Sequence, residues 1–385
     1  MIIPSSGTPG NPITYDVYGT GNMPVISGSE EITGWTPYSG SIYVANVSTG
    51  TFSSMSQVFV DGVSYDVSHY PNTGYNTITA TSSDRVSLTD AGITATGGQL
   101  IGADIYMRTV PWRIESRAIT GYNSGTHTVS WGSATSYAIT AGYGYYFANK
   151  LWMLDQPTEW YYDSSLGKLY IWLEDNEDPS THTIEASNKI YGITISNKNY
   201  ITIRNISITQ LKNTAISMTN PYGIILSNLD ISNNGSYGIY TFGATSGDNT
   251  ITNNTIRNNI SGGITVSNGT SNPLSFISNN IIDNTGYKKM NSIAGIHLSE
   301  VSNYTVSNNT VTNNGYNGIH LQGGNNNTIQ NNRIDHSCLV LDDCSGIYVR
   351  GNSGVTSTGN QLLSNIISDS IGNFSGTVYS STQAE

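Results

Sequence analysis

Seven copies of one short pattern lie between residues 185 and 365: Gly192-Ile193, Ala215-Ile216, Gly238-Ile239, Gly263-Ile264, Gly295-Ile296, Gly318-Ile319 and Gly346-Ile347. Successive isoleucines are 23, 23, 25, 32, 23 and 28 residues apart. A second marker keeps step with them: Asn205, Asn228, Asn253, Asn279, Asn308, Asn331 and Asn360, each set among Ile, Val or Leu except for Thr358 in the last copy. Two markers sharing a drifting period of roughly 20–30 residues signal a repeat architecture. The segments between turns are short and rich in Ile, Val and Thr, which is strand chemistry. None carries a helical period long enough for a helical solenoid. A leucine-rich repeat would want Leu and a helix in each copy. The chain therefore reads as all-β, a right-handed parallel β-helix with one turn per repeat. Equivalent residues then stack about 4.8 Å apart. The isoleucines make a continuous core, and the repeated asparagines are expected to form an Asn ladder of side-chain amides.

Composition bounds what such a coil could do. The 385 residues are 11% charged and 37% hydrophobic, with a net charge of −11. That is enough apolar residue for a large core and too little charge for a typical disordered chain. The acidic balance argues against nucleic acid, which needs a basic stripe. No apolar run reaches membrane-spanning length, so no membrane insertion is expected. The opening MIIPSSGTPG has neither a charged start nor a long apolar stretch, so no signal peptide is read there; a signal has been removed, or export takes another route. Cys338 and Cys344 have five residues between them. They are two free thiols or a disulfide pinching residues 339–343, and the disulfide would imply an oxidising compartment. They do not supply a zinc site with His336.

In chain order, residues 1–29 read as an entering turn of the coil, residues 30–184 as an inserted β-rich, sandwich-like module, and residues 185–385 as the coil and a C-terminal tail. All six tryptophans fall in the module: Trp35, Trp112, Trp131, Trp152, Trp160 and Trp172. Asp163-Ser164-Ser165-Leu166-Gly167 is a turn between two aromatic strands. Those aromatics either attach the module to the coil or form a sugar-stacking wall.

The opening Gly7-Thr8-Pro9-Gly10-Asn11-Pro12-Ile13-Thr14, followed by Pro24-Val25-Ile26-Ser27-Gly28, resembles the first rungs of carbohydrate-active β-helix enzymes, both glycoside hydrolases and alginate or chondroitin lyases. Those families usually carry an earlier turn and a helical cap. Val58-Phe59-Val60-Asp61-Gly62 with His69-Tyr70-Pro71-Asn72 resembles the glycoside-hydrolase group. So does Glu159-Trp160-Tyr161-Tyr162-Asp163 with Gly167-Lys168-Leu169-Tyr170, which is similar to a hairpin of β-helix β-xylosidases and fucosidases. Asp342-Asp343-Cys344-Ser345-Gly346-Ile347-Tyr348 resembles the approach to the catalytic strand in such hydrolases, with Cys344-Ser345 standing where glycines are usual. The resemblance implies a pectate-lyase-like superfamily fold and a polysaccharide or oligosaccharide substrate.

Strand alternation locates the chemistry. With each Ile inside, the next residue points outward. That column reads Thr194, Ser217, Tyr240, Thr265, His297, His320, Tyr348, and two residues further on it reads Ser196, Thr219, Phe242, Ser267, Ser299, Gln322, Arg350. Bland early rungs give way to His, His, Tyr, Gln and Arg, set on what reads as an exposed strand. The two long repeats are lengthened over 283–294 and 335–345, and loops on a rigid scaffold carry function. They hold Asp283, Asp335, Asp342, Asp343, Lys288, Lys289 and His336, with Glu300 nearby. Asp283 and Asp335 each lie four residues past a marker Asn, so they are equivalent positions two rungs apart with Thr312 between, on the order of 9–10 Å. Carboxylates about 6.5–9.5 Å apart suit an inverting glycosidase. The adjacent charges of Asp342 and Asp343 would raise one another's pKa if partly buried.

Three functions follow. The first is a glycoside hydrolase with Asp343, Asp335, Asp342 and Asp283 as its acids and bases. His297, His320, Tyr348, Arg350, Glu300, Tyr240, Lys288 and Gln322 would bind substrate. The second is a polysaccharide lyase, with Lys288 or Lys289 taking the proton beside a uronate and Arg350 neutralising its carboxylate. Only nine Lys or Arg follow Ile184, which disfavours a polyanion. The third is a glycan-binding phage tail or cell-surface protein. The expected setting is extracellular, secreted or on a cell or virion surface. No cofactor is expected, with a structural or substrate-bridging calcium kept open. The sequence sets no oligomeric state.

Overall fold

The computed structural model describes residues 1–243, 246–268, 274–287, 294–352, 354–355 and 357–379. The chain divides into two compact units. One comprises Met1–Ser29 and Lys189–Asn373, the other Glu30–Asn188 with residues 374–379.

The first unit is a parallel β-helix with three sheets. The first sheet stacks Ile193–Ser196, Ile216–Thr219, Tyr237–Phe242, Gly262–Ser267, Ile296–Ser299, Ile319–Gln322 and Ile347–Arg350. The second runs from Ile13–Tyr15 and Ile201–Arg204 to Gln361–Leu363, and the third from Val25–Ser27 and Ser207–Thr209 to Ile366–Ser368. Every pairing along the three stacks is parallel; the register Ile193↔Ile216, Ile239↔Ile264 and Ile296↔Ile319 is the one the repeat marker demands. The isoleucines of the first six strands are fully buried. The glycine before them is required by close approach: a Cβ on Gly263 would stand 2.5 Å from the carbonyl oxygen of Gly295 in the next turn.

The Asn ladder exists, but one residue further along. Asn205, Asn228, Asn253, Asn279, Asn308 and Asn331 all have φ between 53° and 57°. They make the left-handed corner between second and third sheets, a conformation that Asn tolerates well. The following residue points inward. It is Ile206, Leu229, then Asn254, Asn280, Asn309, Asn332 and Asn365. From Asn254 on, each amide donates to the Oδ1 of the next rung at 2.9 Å. Asn360 belongs to another corner, where it accepts from Asn327 at 3.0 Å. Ser364, φ 53°, takes the place expected for it.

The second unit consists of two largely antiparallel sheets. The predicted hairpin pairs Glu159–Asp163 with Lys168–Trp172, and Asp163 Oδ1 accepts from Ser165 N and Leu166 N to close the turn. Trp160 and Tyr162 lie in that sheet's core with Val58, Val60 and Leu169. The other sheet has its own core around Ile105, Met107, Tyr145 and Phe147. Among the described residues no helix is long and apolar enough to cross a membrane.

Candidate active site

Register alone builds the outward column. Ser217, Tyr240, Thr265, His297, His320 and Tyr348 are successive partners in the first sheet, and Gln322 pairs with Arg350. The imidazoles of His297 and His320 stack with centroids 4.7 Å apart, and Tyr348 meets His320 edge-on at 5.1 Å. Gln322 hydrogen-bonds to His297. Tyr240, two rungs before His297, stacks instead on Tyr237 at 5.3 Å.

The column is not the exposed strand its outward direction suggested. His320 is 2% exposed and Thr265 3%. His297 and Tyr348 are half-buried and Arg350 is exposed, so the column opens toward its last rung. Among the described residues, neither ring nitrogen of His320 has a hydrogen-bond partner, nor has Nε2 of His297. Buried polar atoms of this kind are uncommon in folded proteins. Burial pushes His297 down to about 4. Burial, with the neighbouring His297 and Arg350 charges, pushes His320 down to about 3. Both rings are therefore neutral near pH 7, each with one donor and one acceptor nitrogen.

This has a stability consequence. In the unfolded chain these histidines titrate near the ordinary 6.5. Between there and about 4 the unfolded state binds more protons than the folded one, so stability falls as pH drops through that window. We expect the wild-type Tm to fall from about pH 7 to about pH 4.5 more steeply than that of His320→Gln. Parallel Tm–pH curves would contradict it.

The lengthened loop before Ile347 brings up the acids. Cys338 and Cys344 are disulfide-bonded, with Cα atoms 6.0 Å apart. Cys338 N donates to Tyr316 O, and Val340 N and Leu341 N to Gly315 O, fastening the loop to the preceding turn. Tyr316 Oη donates to the backbone carbonyl of Asp343 at 2.7 Å. Burial raises the Tyr316 phenol, and the charge of Asp343 and proximity of Tyr348 add to this while Arg350 opposes it. Tyr316 is thus tied to the main chain of Asp343, and Tyr348, five residues on, meets the stacked histidines. Asp342 is completely buried. Tyr316 was missed because it sits in a turn, two residues before Gly318, where no repeat marker falls.

The other acids lie elsewhere. Asp283, Thr312 and Asp335 are successive partners, as the spacing required, but they belong to the third sheet. Asp283 Oδ1 accepts from Thr312 Oγ1 at 2.6 Å and Asn313 Nδ2 at 2.8 Å. Asp335 accepts from Ser368 Oγ at 2.8 Å and pairs with His336 at 2.9 Å. The Ser368 hydrogen bond, aided by His336 and Arg333, lowers its pKa and keeps it ionised. Third-sheet partners thus account for both acids, and they do not join the histidine column as a pair. Glu300 directly follows His297's strand and accepts from Asn352 at 2.5 Å. Lys288 and Lys289 lie outside the described residues. Asp335, His336 and Asp369 could converge on an ion. Two carboxylates and an imidazole fall short of the roughly 6–8 oxygens that calcium takes.

In the second unit, two quoted motifs meet. His69 Nδ1 lies 2.8 Å from Oε1 of the fully buried Glu159, and this contact raises the imidazole's pKa.

A family model described as "Right handed beta helix region" matches residues 170–291 and again 277–381. The chain belongs to the right-handed β-helix family. No curated protein matches this β-helix chain. Among solved structures it is similar to a glycoside hydrolase at 13% identity and TM-score 0.57, with 94% of this chain and 86% of that one covered. It is also similar to XylC, in a structure of its complex with xylose, at 15% identity and TM-score 0.52, over 94% of this chain and 62% of that one. This β-helix chain thus spans somewhat less than two thirds of XylC. A third similarity is to tailspike protein 2 of Escherichia coli O157:H7 bacteriophage CAB120, at 11% identity and TM-score 0.35, over 51% of this chain and 39% of that one. At such identities the likeness is one of fold.

Proposed function

We propose that the protein is a glycoside hydrolase acting on a polysaccharide or oligosaccharide at the outer face of the first sheet. The observation that carries this reading is the His297–His320–Tyr348 stack, with Gln322 and Arg350 paired on the same strands and the Asp343 carbonyl held by Tyr316 in the loop before them. Neutral imidazoles, a phenol and an amide both donate to and accept from sugar hydroxyls. Hydrolysis breaks the bond from the anomeric carbon to the leaving oxygen and forms one to a water oxygen. A carboxyl group protonates the leaving oxygen and a carboxylate takes the proton of water or attacks the carbon. Asp343 takes one of these roles, because Tyr316 holds its carbonyl in the loop that leads directly into the strand of Tyr348. Asp335 loses the partner role given to it by spacing. The disulfide supports an extracellular setting.

Arg350 favours a second reading. A neutral imidazole, a phenol and a guanidinium together could run β-elimination on a uronate, with His320 taking the carbon-bound proton, Tyr348 protonating the leaving oxygen and Arg350 facing the carboxylate.

Incubation with a panel of neutral and uronate polysaccharides separates these. We expect new reducing ends without the ultraviolet absorbance of an unsaturated uronate. That absorbance would establish elimination instead. Binding without cleavage across the panel would leave a glycan-binding protein of the tail or adhesin kind and overturn both.

A further inference from the structure

The second unit contains a pocket that the proposed hydrolysis does not use. It is a cavity of about 190 Å³ walled by Tyr70 and Trp152 and floored by Phe147 and Leu100, with Asn76 and Gln99 at its rim. Pockets for drug-sized molecules run to roughly 300–1,000 Å³, so this one is the size of a single small ring. Its two wall residues are 39% and 38% exposed, whereas Phe147 and Leu100 are buried. The wall rings stand 5.8 Å apart at 51° to one another, an open corner rather than a closed stack.

The corner is built before any ligand arrives. Trp152 Nε1 donates to the carbonyl of Gln99 at 3.3 Å, which fixes the indole. Gln99 Oε1 accepts from Thr96 N at 2.7 Å, which leaves its amide nitrogen as the donor. Tyr122 Oη donates to Ala95 O at 2.9 Å and the His127 ring contacts Ile93 O at 2.8 Å, holding the adjoining segment. A site organised in advance loses less on binding.

The chemistry of the lining selects the ligand. Two aromatic faces at an angle suit a flat body with an apolar face, and two side-chain amides suit hydroxyl groups around its edge. No lining residue is charged. The carboxyl nearest the adjoining segment, Asp90, accepts from Gly92 N and Tyr145 Oη and is 8% exposed. An anion entering here would find no counter-charge among the lining residues. We infer that this pocket binds one neutral sugar ring, so the second unit carries a glycan subsite of its own. The inference rests on residues of Glu30–Asn188 alone and does not depend on the reading of the histidine column.

The test titrates the full chain with D-xylose, D-glucose and D-galactose, their short β-linked oligosaccharides, and D-glucuronate. Binding is read by intrinsic tryptophan fluorescence and by calorimetry. We expect saturable binding of at least one neutral sugar and weaker binding of glucuronate. Trp152→Ala and Tyr70→Ala should each weaken the neutral sugar by about tenfold or more, the scale of a lost aromatic anchor. Both residues are exposed enough for the fold to survive, which an unchanged Tm would check. His320→Gln should leave this binding intact. Flat titrations across the neutral sugars, binding unchanged in both aromatic variants, tighter binding of glucuronate, or binding lost in His320→Gln would each overturn the inference.

Discussion

Asp343→Asn lowers kcat/KM on a glycan that the wild type cleaves by about 10²–10⁴-fold, the usual cost of removing a catalytic acid or base. The Tm should hardly move. Asp343 has φ 56°, a left-handed conformation in which Asn is as comfortable as Asp. The bond that anchors this residue runs from Tyr316 Oη to its main-chain carbonyl, which the substitution keeps. Asp335→Asn is the contrast. Its partners are Ser368 and His336 on the third sheet, so turnover should stay near wild type. Wild-type kinetics in Asp343→Asn would show the chemistry to be elsewhere. A collapse confined to Asp335→Asn would restore the carboxylate pair that spacing suggested.

A second large effect belongs to stability. Asn309 Oδ1 accepts from both the main-chain and side-chain nitrogens of Asn280, and its Nδ2 donates to Asn332 Oδ1 and Ile277 O. Asn309→Ala strands several buried polar groups at once. At about 1–3 kcal/mol for each such group, we expect a loss of at least about 3 kcal/mol in denaturant unfolding. Asn308→Ala, one residue earlier, forfeits only the left-handed preference of a corner residue, about 1–2 kcal/mol. Equal losses at the two positions would mean that the buried amide ladder is not what holds these turns together.

Those adjacent asparagines explain where the sequence was legible and where it was not. Backbone register could be read because an apolar inward position recurs every turn, and a one-residue slip would turn each Ile toward solvent. Asn offers no such discrimination. A left-handed corner and a buried amide ladder both choose it, and from Asn253-Asn254 to Asn331-Asn332 the two requirements fall side by side. The histidine column was legible in direction but not in burial. Alternation says which way a side chain points, not what lies against it, and His320 is 2% exposed on the outer side of its sheet. Asp283 and Asp335 were placed correctly relative to each other, but the repeat does not reveal which sheet faces a substrate. Tyr316 escaped notice because a turn residue has no alternation to mark it.

The opening turn imposes an order on synthesis. Ile13 takes Ile201 as its parallel partner, and Val25 takes Ser207. At ribosomal rates of roughly 5–20 residues/s, translating the intervening segment takes on the order of 10–40 s. For that time the nascent N-terminal strands have made none of their native sheet contacts, while the segment destined for the second unit has already emerged. Closing a loop of this length early is entropically unfavourable unless the segment inside it has compacted. Compaction of the inserted segment would shorten the tether between these paired strands and lower that entropic cost.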